Sequence, residues 1–324
     1  MRLRNLPFGF ASLALALLHS STGIAWGPNG HRTVGLIAEN HLTAGVRAQV
    51  RDLLAGESLA DVSNWADLIR SFDQWSCAAP FHYSTIELDA EYLQTGVPPQ
   101  GDILGAIAYF YQVLVSPAEG RIRRTDALRF LAHFIGDLHQ PLHVGSGCDR
   151  GGNDVVVSFM GEQHNLHAVW DTAIYESMQL SYSEFAGILV EPSSSERTRI
   201  QSSSPLDWAA ESKELLTEVY RCSVGRDRCP CLCGDCSDGF SVFGGCQERP
   251  CQRVPVPITL SYEYRTRAEP IISRRLQEGG LRLAAVLNSA LGDQEPSAAF
   301  SQFLQQVAQK PNWDASFQAC RGGN

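Results

Sequence analysis

The segment "LRFLAHFIGDLHQPLHVG", residues 128–145, constrains this chain more than any other stretch. Its apolar residues recur at helical spacing, which predicts a core helix. Within eleven residues it also carries His133, Asp137, His139 and His143. Ionisable groups in an apolar frame are costly to bury unless something compensates them. At about 100° per residue, His133 and Asp137 lie about 40° apart and share a face, whereas His139 points roughly 240° round and leaves them. Pro141 ends the helix and turns the chain back, which puts His143 on the return. The same i, i+4 spacing recurs in "HNLHAVWD", where His167 and Asp171 pair and His164 precedes the helix. One such pair is ordinarily a hydrogen-bonded ion pair. Two copies with His143 point to metal ligation, and imidazole with carboxylate suits Zn²⁺.

The chain's start is of a different kind. Arg2 and Arg4 precede the short apolar run "FASLALALL", and small residues lead to Ala25. This is the pattern of a secretory leader, residues 1–25, cleaved after Ala25. The product is expected to be secreted or periplasmic. Its loss removes two arginines and no acid, taking the formal charge from −9 to −11. No later segment approaches the ~20 apolar residues of a membrane span, so no stable anchor is expected. A content of 44% hydrophobic and 19% charged residues fits a soluble globular protein with a sizeable core.

Seven of the ten cysteines fall between Cys222 and Cys251. "CPCLCGDC" reads either as a metal knuckle or as a disulfide-stapled loop, and an oxidising compartment favours the loop. Seven is odd, so one cluster cysteine pairs outside or stays free. Cys320 is the expected outside partner, with Cys77–Cys148 as a further bridge.

Helical spacing recurs in "HRTVGLIAENHL", "DVSNWADLIRS", "GDILGAIAYFYQVL", "LDWAAESKELLTEVY", "RAEPIISRRLQEGGLRLAAVLNSAL" and "SAAFSQFLQQVAQ". "DVVVSF" followed by "MGEQ" predicts one small β-hairpin. "VEPSSSERTRIQSSSP" reads as a polar surface loop. The expected product is one mainly α domain, residues 26–292, interrupted by the cysteine-rich insertion 222–257. A tail, residues 293–324, follows; it either docks through Cys320 or covers part of a cleft.

Upstream lie further ligand types. Trp26 becomes the first residue after cleavage; its freed amine and its carbonyl can chelate one metal, with His31 as third ligand. "NWADLIR" offers Asp67 and "FHYSTIE" offers His82; taken singly, each is also an ordinary surface or capping residue.

Trp26-Gly27 with His31, "NWADLIR", "FHY", "FLAHFIGDLHQPLHVG", "GGND" and "NLHAVWD" stand in the order seen in the trinuclear-zinc, single-strand-specific type I nucleases of fungi and plants, also called 3'-nucleotidase/nucleases. The resemblance spans residue 26 to about 291, where "GGLRLAAVLN" resembles the family's last core helix. It implies the helical zinc-nuclease/phospholipase C-like fold and three Zn²⁺ per chain. Asp67, His82 and His133 would hold one zinc, and the Trp26 amine and carbonyl with His31 a second. Asp137 would bridge these two, and His143, His167 and Asp171 would hold the third. Arg70 aligns with the family's phosphate-facing arginine. Tyr83 stands where an aromatic stacks on the base, although core packing explains a tyrosine equally well. Ser84 replaces an acidic residue that reads the base edge, so the purine preference is not carried over.

The resemblance further implies an endonuclease acting on single-stranded DNA and RNA and on 3'-nucleotides. In that chemistry a zinc-activated hydroxide attacks phosphorus, the third zinc stabilises the departing 3'-oxygen, and 5'-nucleotides result. A monomer is the expected state. Three alternatives stand beside it: a zinc-dependent phospholipase C of the same superfamily, a non-enzymatic zinc-binding protein on a retired scaffold, and a disulfide-rich adhesion module. The last explains residues 222–257 but not the His/Asp set.

Overall fold

A computed structural model of the chain describes residues 26–86, 90–145, 147–221 and 258–307. The expected leader, the cysteine-rich insertion and the end of the tail with Cys320 lie outside the described residues. Cys77 is disulfide-bonded. The side chain of Cys148, its expected partner, is outside those described, so that pairing stands as an expectation.

The first part of the mainly α architecture is built on five helices. Helix α1 (Pro28–Asn40) starts with Pro28 in its first turn, where a missing amide costs no intrahelical bond. Helix α2 (Ala44–Leu53) is capped by the Thr43 side chain, and the short α3 (Trp65–Ile69) carries Asp67 in its first turn. Helix α4 (Ile103–Val115) is apolar nearly all round and is buried accordingly. Helix α5 (Arg121–Leu138) contains the segment that opened the sequence analysis. Its Phe130 and Phe134 stack on each other at 5.1 Å, and Phe130 stacks on Phe110 of α4 at 4.4 Å. Burying rings of this size contributes about 1.5–3 kcal/mol each. Their pairing holds α5 so that its other face, with His133 and Asp137, is turned towards α1.

The expected hairpin forms from β1 (Val156–Phe159) and β2 (Glu162–Asn165), antiparallel, with Val157 opposite His164. Met160 and Gly161 both take positive φ in the turn, matching the twist of the strands. A third strand, β3 (Ile258–Leu260), adds in parallel on the other side of β1. The sequence reading missed β3 because three residues carry no measurable alternation. One correction and one further omission concern helices. Ser194–Gln201 is helical within the stretch expected to be a loop, because Ser193 caps the amide of Glu196 and Ile200 is buried. Tyr182–Ile188 is likewise helical, with a reciprocal Ser181/Glu184 capping box and Phe185 as its buried anchor.

Helix α6 (Pro205–Glu214) packs beside the 30-residue α7 (Tyr262–Leu291). Between them lies a buried ionic network. Glu211 accepts from Arg275 at 2.6 Å and from both terminal nitrogens of Arg282 at 2.7 Å, while Arg275 also pairs with Glu278 at 2.7 Å. Helix α8 (Ala298–Val307), in the expected tail, buries Phe300 and Phe303. The Phe300 ring meets Tyr111 of α4 at 5.0 Å and Trp208 of α6 at 6.4 Å, so this part of the tail joins the core.

Candidate metal centre

Six elements deliver eight side chains to one region. Helix α1 brings His31, α3 brings Asp67, and a 3₁₀ run (Asp73–His82) ends on His82. His133 and Asp137 come from α5, and His143 from the 3₁₀ turn Pro141–Val144 that follows Pro141. His167 and Asp171 come from the helical stretch after β2, which passes through a π turn at Val169–Ala173. Asn165 starts that stretch, its side chain accepting from the amide of Ala168 at 2.6 Å.

Three groups form, each placing one ligand-type atom per residue within 4.8 Å of the others: His31, His133 and Asp137; Asp67, His82 and His133; His143, His167 and Asp171. Asp137 joins the first two. Its Oδ1 lies 3.1 Å from His31 Nε2, while Oδ2 lies 3.0 Å from His82 Nδ1 and 3.2 Å from His133 Nε2. Asp67 Oδ1 is 3.7 Å from both His82 Nδ1 and His133 Nε2. In the third group, His167 Nε2 is 3.1 Å and His143 Nε2 3.9 Å from the Asp171 carboxylate. Close approach of α1 to α5 depends on Gly136, where a Cβ would lie 3.0 Å from His31 Nδ1. The rings of His31 and His133 stack at 3.9 Å in consequence.

The outer bonds orient the imidazoles. His133 Nδ1 donates to the Ser63 carbonyl at 2.7 Å, His143 Nδ1 to that of His82 at 2.6 Å, and His167 Nδ1 to that of Gly151 at 2.6 Å. Each bond places an N–H on Nδ1 and turns Nε2 towards the group, the usual arrangement behind metal-binding histidines. Gly151 has φ +63°, and a Cβ there would lie 2.4 Å from the Leu142 carbonyl oxygen, so only glycine presents that carbonyl. Gln140 donates to Asp171 Oδ1 and accepts from the Leu142 amide at 2.6 Å. The sequence reading missed Gln140 and the Gly151 carbonyl. The paired glycine of "GGND" was the available signal.

Electrostatics and hydrogen bonding test whether a cation fits. Burial pushes His82 down to about 4 and His167 down to about 3, so both rings are neutral at pH 7. Burial alone would lower His133 too, but Asp137 and Asp67 outweigh it and lift it to about 9. Asp137 resists burial through His133 and the bonded imidazoles and stays well below the usual carboxylate range. Asp171 is instead pushed well above it by burial, despite the bond from Gln140. A divalent cation beside Asp171 would reverse that preference. His31 Nε2, Asp67 Oδ2, Asp137 Oδ1, His143 Nε2 and Asp171 Oδ2 are buried without an aligned hydrogen-bond partner. Orphaned acceptors of this kind, concentrated in three groups, suit cations.

The remaining expected residues are placed as follows. Trp26 is fully buried. Arg70 reaches Asp67 Oδ1 at 3.3 Å. Tyr83 is 47% exposed, so it is not a core-packing residue. Ser84 is buried and turned from solvent. His41 pairs with Glu191 and His164 lies near Glu162 on β2. His139, as its phase required, leaves the groups; its Nδ1 donates to the Ile135 carbonyl at 2.6 Å and Arg282 lies 2.9 Å from Nε2. A cavity of about 580 Å³ elsewhere, between His41, Gln201, Arg282 and Phe300, is lined by none of the eight residues.

Residues 26–292 match the family model described as S1/P1 Nuclease. The chain is 32% identical over 281 residues to Endonuclease 4 of Arabidopsis thaliana, covering 82% of this chain and 89% of that protein. It is 28% identical over 319 residues to Nuclease S1 of Aspergillus oryzae, covering 88% and 97%. It is also 32% identical over 156 residues to Nuclease P1 of Penicillium citrinum, covering 45% and 57%.

Proposed function

This chain belongs to the S1/P1 nuclease family, and from that premise we propose that it is an exported, zinc-dependent phosphodiesterase of single-stranded DNA and RNA that releases 5'-nucleotides and also acts on terminal 3'-phosphates. One observation carries the reading. The two oxygens of Asp137 address different imidazoles, His31 on one side and His82 with His133 on the other. That is the posture of a carboxylate shared by two cations.

Asp67, His82, His133 and Asp137 would hold one zinc, and Asp137 with His31 and the amine and carbonyl of Trp26 a second. His143, His167 and Asp171 would hold the third. The set has imidazole and carboxylate donors at closed, buried positions, which suits zinc. When bound, zinc supplies Lewis acidity, ionising water near neutral pH and taking up charge from the phosphate and the leaving oxygen. Three divalent cations against Asp67, Asp137 and Asp171 leave a local excess of positive charge, which holds a phosphodiester although the chain as a whole is acidic.

The chain's own residues do the rest. The carbonyls of Ser63, His82 and Gly151 fix the tautomers of His133, His143 and His167. Arg70 stands beside Asp67 and contributes a fixed cation for the phosphate as charge grows on its oxygens. Tyr83, next to His82 in sequence and half exposed, offers its ring to an unpaired base. Such stacking is worth ~1–3 kcal/mol per base. A duplex already stacks its bases internally, so a single strand gains more.

The deciding experiment is metal analysis of the protein beginning at Trp26, paired with cleavage of single- and double-stranded DNA with and without chelator. Zinc near three per chain and chelator-sensitive cleavage favouring the single strand are expected. Release of phosphocholine from lecithin without cleavage of DNA would instead assign the same centre to a phospholipid.

A further inference from the structure

Residues 82–84 link the metal-capable groups, and each makes a backbone bond. The His82 carbonyl accepts from His143 Nδ1 at 2.6 Å, the Tyr83 carbonyl from the Ile103 amide at 3.1 Å, and the Ser84 amide donates to the His143 carbonyl at 2.9 Å. The segment is extended at Tyr83, whose ring is left half exposed. Ser84 points the other way. Its side chain is buried, and its hydroxyl donates to Asp102 Oδ2 at 2.8 Å.

Asp102 caps helix α4 through the Gly105 amide at 2.9 Å and accepts from the Tyr92 hydroxyl at 3.0 Å. These donors are neutral, and burying a carboxylate on neutral donors is costly. A serine or threonine would cap the helix without that cost. What the carboxylate adds is a second oxygen, and Ser84 uses it.

We propose that Ser84 and Asp102 are positioning residues for the substrate base. Their bond holds the Tyr83 backbone at the angle from which its ring meets the base, so it sets affinity for the base without touching it. The inference rests on the reading of Tyr83 as a base-stacking residue. The bonds to His143 come from backbone groups and do not need the Ser84 hydroxyl. Loss of the hydroxyl therefore acts on base recognition rather than on the phosphodiester chemistry.

The test uses the zinc-loaded protein beginning at Trp26 and two substrates, a single-stranded oligothymidylate and an abasic oligonucleotide of equal length. Ser84→Ala should raise KM on oligothymidylate by about fivefold, a fraction of what outright loss of a stacking partner costs. The ratio of kcat/KM between the two substrates should fall by the same factor, with bound zinc equal to the parent's. Asp102→Ser, which keeps one oxygen for the cap and removes the one that Ser84 uses, should reproduce the fall. In a Tyr83→Ala background, Ser84→Ala should have no further effect on the ratio, since coupled residues are not additive. Equal losses on both substrates, an unchanged ratio, or additive effects in the double variant would overturn the inference while leaving the nuclease reading intact. A parent protein that cleaves neither substrate would remove both.

Discussion

The backbone amide of Gly27 donates to the carbonyl of Asp171 at 2.7 Å, which fastens the residue after Trp26 to the turn that carries a carboxylate of the third group. Trp26 itself is fully buried. The proposed ligand role of a Trp26 amine rests on this placement of its neighbour. A protein beginning at Trp26 should bind more zinc and turn over faster than one carrying an extra Met before it. Elemental analysis and initial rates on single-stranded DNA check this. Equal zinc and equal turnover would refute the role given to the amine.

Gln140 occupies one oxygen of Asp171 and leaves the other to His167. Gln140→Ala should weaken metal binding in the third group by about 10–100-fold, the usual cost of losing an outer-shell partner. Retention of zinc during titration with a graded chelator measures it, and the loss should fall on one zinc in three.

Arg70 is one-quarter exposed and lies against Asp67. Arg70→Ala should lower kcat on single-stranded DNA by about 10²–10³, the range found when a preorganised donor is removed from a transition state. Zinc content should stay at the parent's value. Loss of zinc in step with activity would make Arg70 a support for Asp67 instead.

Glu211 is part-buried between the buried Arg275 and Arg282, and Glu211→Gln should destabilise the fold by about 3 kcal/mol, because Arg282 loses its two-point carboxylate partner and Arg275 keeps only Glu278. Burial alone would raise the Glu211 carboxyl, but Arg282 and then Arg275 outweigh it and hold it down to about 2 instead of 4.5. A folded-state value below the unfolded one stabilises the fold above pH 4.5. That contribution is lost as pH falls from 4.5 towards 2. Thermal melts between pH 7 and pH 2 should show the acid-sensitive step in the parent, and a smaller one in Glu211→Gln.

Much of the centre was legible in residue spacing. The phase of α5 put His133 with Asp137 and sent His139 elsewhere, where it meets Arg282. The repeat at His167 and Asp171 came from the same arithmetic. Gln140 was not legible, since one amide beside a proline has no periodic signature. The ionic network of Glu211, Arg275 and Arg282 was hidden for a related reason. Its members lie on two helices more than sixty residues apart, and nothing local distinguishes them from surface charges. Phe300 fell in a segment set down as a tail because its partners, Tyr111 and Trp208, are equally remote.

The sequence by itself determined the helical class, the hairpin and the inventory of imidazole and carboxylate donors. Those depend on periodicity and on residue chemistry, which are local. Only the tertiary structure decided that Asp137 turns one oxygen to His31 and the other to His82 and His133, and that carbonyls from Ser63, His82 and Gly151 hold the rings in place. A hydrogen bond needs its two atoms within a few tenths of an ångström of the right separation. Chain segments tens of residues apart reach that only when the whole core has packed.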